Sequence, residues 1–130
     1  MFSTDTFSSQ FNNTERLAEQ GNALAQLKLG LKYEFGYRIR VDNAEAVKWY
    51  QEAASQGLSM AQFRLGCMYA EGEGVPENYT IAYMWLSMVK AQGHSGAADR
   101  LEILTSKMTK NQMADGNALV EKRQTPNAKL

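Results

Sequence analysis

The chain lacks most of what catalysis, metal binding or membrane insertion requires. It has one cysteine, Cys67, and one histidine, His94. A lone cysteine forms no internal disulfide, so the thiol fits a reducing compartment or a packed position. One histidine and one cysteine cannot supply a usual zinc ligand set. No apolar run approaches the length of a membrane span. The opening MFSTDTFSSQF has neither a basic n-region nor an apolar h-region, so no signal peptide is visible and a cytoplasmic protein is expected. Fourteen basic residues balance fourteen acidic ones, which gives no sign of a nucleic-acid or anionic-membrane partner. No segment alternates with period two, so no strand is expected.

What is present is a repeat. The 130 residues, 44% apolar and 22% charged, suit one soluble domain with a modest core. Displaced by thirty-six positions, the sequence falls on itself: Ala25 on Ala61, Gln26 on Gln62, Leu29 on Leu65 and Gly30 on Gly66. Tyr33 likewise meets Tyr69, Gly36 meets Gly72, Ala46 meets Ala82 and Trp49 meets Trp85. A fixed period of this size signals stacked supersecondary units.

Each unit reads as two helices. The first runs from about Leu24 to Glu34, with Ala25, Leu29 and Tyr33 on one stripe, and ends at Gly36. The second opens at an N-cap, Asp42 in one copy and Asn78 in the other, and ends at a glycine. Small residues such as Gly30, Ala46, Gly66 and Ala82 let helices approach, and Trp49 and Trp85 are expected to be largely buried between them. A third unit starts at Gly93 and decays: Ala97 and Leu101 hold the register, while Glu102 and Thr105 replace glycine and tyrosine. Polar replacement suits a terminal cap. Thr109 and Gln112 form a capping box for a last helix.

The expected division is a flexible N-terminus over 1–12, one helical-repeat domain over 13–123, and a flexible tail over 124–130. Within the domain, repeats cover about 22–57 and 58–93, with a divergent cap over 94–123.

The motif Ala25-Gln26…Leu29-Gly30…Tyr33…Gly36…Ala46…Trp49-Tyr50…Gln56-Gly57, repeated from Ala61 to Gly93, resembles the Sel-1-like repeat, a relative of the tetratricopeptide repeat. The closing KMTKNQMAD resembles the segment that often ends bacterial members. The resemblance implies an all-α, right-handed α-solenoid of helix-turn-helix repeats that holds a protein or peptide on its concave face. It implies an adaptor or regulatory scaffold, or alternatively a dedicated inhibitor such as an immunity protein for a bacterial toxin; β-lactam hydrolysis is a remote third reading. One departure concerns the first loop, where Arg38 stands in place of the second glycine found at Gly74. The cysteine pairs of the secreted branch are missing.

Other candidate chemistry dissolves on inspection. Gly72-Glu73-Gly74-Val75 lacks the strand and lysine of a phosphate loop and reads as a turn. Glu71 and Glu73 read as solvated, Ser55 and Ser59 have no histidine base nearby, and no enzyme or cofactor is expected. Cys67 shares the register of Leu31 and reads as a packed thiol. Met60, Met84 and Met88 fit packing positions. The candidate partner-binding residues lie on the first helices, which line the concave face in such solenoids. Lys28, Arg64 and Arg100 recur at one register, with Lys32 and Met68 at the next; the row reads as an ordinary solvated face or as a basic ladder for an acidic peptide or protein surface. The oligomeric state is left open.

Overall fold

The computed structural model describes residues 13–124. Residues 13–19 are helical (α1). Six further helices follow: α2 (Ala23–Phe35), α3 (Asn43–Ser55), α4 (Ser59–Glu71), α5 (Tyr79–Ala91), α6 (Ser95–Thr105) and α7 (Lys110–Gln124). No strand occurs among the described residues. The flexible termini expected over 1–12 and 125–130 lie outside them, while Gln124, placed in the tail from sequence, ends α7.

The helix ends follow from local chemistry. Asp42 caps α3 by accepting from the Glu45 amide at 3.1 Å, and Asn78 caps α5 through the Ile81 amide at 3.0 Å. Each side chain satisfies an amide that the first helical turn leaves unpaired. The capping box of α7 is reciprocal: the Thr109 amide donates to Gln112 Oε1 at 2.9 Å, and the Gln112 amide donates to Thr109 Oγ1 at 3.1 Å. Gly36 ends α2 in the left-handed region at φ 68°.

The chain divides into two compact units, Met1–Ala61 and Gln62–Leu130. In the first, α2 packs on α3 at a point where Gly30 leaves room for Tyr50. A Cβ on Gly30 would sit 2.4 Å from the Tyr50 ring. The buried Tyr50 donates its hydroxyl to Glu34 Oε1 at 2.7 Å. Ala18, Ala25 and Leu29 form the adjoining core, with Leu17 and Trp49 packed against it. Gln26 is buried in this core and fully engaged: its amide nitrogen donates to the Ala18 carbonyl at 3.0 Å and its oxygen accepts from Gln56 at 2.8 Å.

The second unit has a larger core of Cys67, Ala82, Leu86, Val89, Ala97, Leu101 and Leu104. A Cβ on Gly66 would sit 3.0 Å from Leu86 Cγ and 3.2 Å from Trp85 Cβ, a less severe approach than at Gly30. Gln92 donates to the buried Gln62 at 3.3 Å, the counterpart of the Gln56–Gln26 pair. The helix α7 closes over α5: a Cβ on Gly116 would approach the Tyr83 ring to 2.4 Å, and the Tyr83 hydroxyl donates to Asn117 at 2.9 Å.

The two tryptophans part company. Trp85 is 1% exposed, with the Arg123 guanidinium of α7 at 4.3 Å from its ring centre. Trp49 is only half-buried, against the expectation, and the cation beside it is Lys48 of its own helix, at 5.2 Å. The physical reason is that α7 gives Trp85 a covering layer from a separate helix.

Candidate functional site

The ladder residues occupy unequal environments. In the first unit, Lys28 and Lys32 stand one turn apart on α2, with Lys28 exposed and Lys32 half-buried. In the second, Arg64 on α4 is half-buried and Arg100 on α6 is exposed. Met68 is 1% exposed, so the surface role expected of it is corrected. Leu65, Gly66, Cys67 and Met68 are all buried, and four consecutive helical positions turn through about 300°, so this part of α4 has no open side. Met60, expected in the core, lies at the start of the same helix and is 45% exposed. Met84 is buried and Met88 half-buried.

Arg100 does more than continue a register. Its guanidinium pairs with Glu71 at 3.4 Å, and both side chains remain about half exposed. The pair stands on the rim of a cleft of about 190 Å³ in the second unit. Cys67, Leu86 and Leu104 line the cleft, and Lys107 adds a second cation to its edge. This is smaller than the roughly 300 Å³ at which small-molecule sites begin; it has room for one large side chain. The sequence reading did not find this cleft. A usable signal was there: Arg100, Ile103 and Leu104 are spaced i, i+3 and i+4, one helical stripe.

Cys67 is buried, as its register with Leu31 predicts. His94 serves as the N-cap of α6, its Nδ1 accepting from the Ala97 amide at 3.1 Å. Its ring stacks on Phe63 at 4.5 Å. On α2, burial first, then the carboxylates of Glu45, Glu15 and Asp42, push the Tyr33 phenol up.

The two inter-helix loops trace the same path. In the first, the Tyr37 amide donates to Lys32 at 3.1 Å and the Asp42 amide to Tyr33 at 2.9 Å. In the second, Glu73 donates to Met68 at 3.0 Å and Asn78 to Tyr69 at 2.9 Å. Gly72 and Gly74 take φ 69° and 75°; Gly36 and Arg38 take 68° and 64°. Arg38 thus keeps the glycine path, at a cost of about 1–2 kcal/mol for a left-handed residue with a Cβ.

An all-α array of paired helices, repeated in register and joined by equivalent loops, is a helical-repeat protein of the solenoid class. Residues 23–58 and 59–94 each match the Sel1 repeat, and the chain belongs to the Sel1 repeat family. The chain is similar to the crystal structure of a Sel1 repeat protein from Oxalobacter formigenes, at 38% identity over 70% of this chain and 26% of that one, with TM-score 0.68. It is also similar to a protective antigen present in uropathogenic Escherichia coli strains, which displays an SLR fold: 28% identity, 87% of this chain, 24% of that one, TM-score 0.81. The chain therefore spans about a quarter of the length of each of these solved chains. No curated protein matches it. Repeats of this family typically act as protein-interaction scaffolds. Among the described residues, no helix is long and apolar enough to cross a membrane.

Proposed function

We propose that this chain is an adaptor or regulatory scaffold that binds an acidic protein or peptide through cations on its first helices. Arg64 and Arg100 are the contacts that the second unit offers, and Lys28 and Lys32 those that the first offers. The observation that carries the reading is Arg100, exposed on the rim of an apolar cleft with Lys107 nearby. A partner's carboxylate near these cations, with an adjoining apolar side chain in the cleft, combines an anchor with electrostatic orientation. The reading is of a binding module and not an enzyme, supported by the use of His94 as a cap and of Cys67 as core. The single buried thiol supports placing the protein in the reducing cytoplasm.

The test is charge reversal measured on a partner captured from the source organism. Arg64→Glu and Arg100→Glu should each weaken binding by about tenfold or more, because reversal adds repulsion to the lost attraction. Glu52→Lys, on α3, is the control and should change binding little. Equal losses from Glu52→Lys and Arg64→Glu, or no loss from Arg64→Glu, would sink the ladder.

A further inference from the structure

The two loops share a backbone and carry opposite chemistry. Residues 35–41 read Phe-Gly-Tyr-Arg-Ile-Arg-Val, and residues 71–77 at the same register read Glu-Gly-Glu-Gly-Val-Pro-Glu. The first holds two arginines and no carboxylate; the second holds three glutamates and no cation. Phe35, Tyr37 and Val41 are 62%, 61% and 52% exposed, three of the large apolar side chains most open to solvent in the described chain. Arg38 and Arg40 are exposed between them, and the Arg38 guanidinium lies over the Tyr37 ring at 5.6 Å. Arg38 also holds a backbone conformation that the sister loop assigns to glycine. Aromatic rings interleaved with arginine are the composition of binding hot spots.

We infer that loop 35–41 docks on loop 71–77 of a second copy of this chain. The occupant follows from charge: the acidic loop offers Glu73 and Glu77, both exposed, to Arg38 and Arg40. Glu71 already has Arg100 as a neighbour and contributes less. Val75 and Pro76 supply apolar surface for the rings of Phe35 and Tyr37. The zero net charge of the chain leaves no long-range repulsion to oppose the encounter. Seven residues a side make a small contact, so the association is weak, reversible and sensitive to salt. This inference is independent of the ladder: it uses other residues and needs no other protein.

Sedimentation of the intact chain, from about 10 μM to about 1 mM and at about 0.05 and 0.5 M salt, tests it. The expected result is concentration-dependent self-association that weakens at the higher salt. Arg40→Glu and Glu73→Arg should each weaken it by about tenfold or more, since each sets like charges against each other. Mixing the two variants makes both kinds of contact complementary again, so the mixture should associate where each variant alone stays monomeric. Circular dichroism should show both variants folded. A wild-type chain that stays monomeric throughout overturns the inference, including one that instead binds an acidic peptide of another protein. So does self-association indifferent to Arg40→Glu, or a mixture that fails to associate. A monomer whose melting temperature falls on Arg40→Glu also overturns it, by placing the loop charges against each other within one chain.

Discussion

Trp49 and Trp85 occupy the same register of α3 and α5, yet the first keeps part of its ring in solvent and the second is 1% exposed. The glycines opposite differ in the same way: Gly30 is held by the rigid ring of Tyr50, while Gly66 meets the branched end of Leu86. The loops repeat the pattern, with Arg38 taking a conformation that costs Gly74 nothing. An equal place in the repeat therefore does not mean equal energetic weight. Weight depends on what each copy has next to it, and α7 is a neighbour that only the second tryptophan has among the described contacts.

The largest test of this contrast is tryptophan truncation. Trp85→Ala should cost about 3–5 kcal/mol in urea denaturation, as expected for a fully buried aromatic ring. Trp49→Ala should cost distinctly less, because part of its surface never leaves water. Equal losses would break the comparison. Next come the glycines. Gly30→Ala should destabilise by about 1–3 kcal/mol, since the added methyl must displace Tyr50. Gly66→Ala meets Leu86 at 3.0 Å and gains helix propensity, so its net effect should lie within about 1 kcal/mol of zero.

Arg38→Gly comes third. Relief of the left-handed strain outweighs the extra freedom of glycine in the unfolded chain, and stability should rise by about 0.5–1 kcal/mol. Gly74→Ala should move the other way. The smallest effect concerns Tyr33. Its phenol is pushed up in the folded protein, so the unfolded chain loses that proton first as pH rises. Stability is therefore constant below the ordinary phenol value near about pH 10 and falls as pH climbs through the raised folded value. Tyr33→Phe should flatten that part of the pH profile, and an unchanged slope would remove Tyr33 from the account.

Much of the fold was legible residue by residue. Asp42, Asn78 and the Thr109–Gln112 box announce helix starts because a cap needs only a polar side chain and amides up to three positions away. Gly36 announces a stop because few other residues tolerate its φ. The candidate site was legible only in part. Counting positions put Met68 beside Lys32, but it could not reveal that four consecutive residues of α4 are buried. The stripe through Arg100 and Leu104 lay in the decayed third unit, where the thirty-six-residue register no longer pointed to it.

By itself the sequence determined the period, the helix order and the caps. All are set by contacts within a few positions or by identity between copies, and these survive in one dimension. The tertiary structure alone decided that Met68 is core, that Met60 and part of Trp49 face water, that Arg38 follows a glycine's path, and that Arg100 borders a cleft. Burial is a property of everything packed around a residue, and the chain's own periodicity says nothing of how many neighbours each copy has.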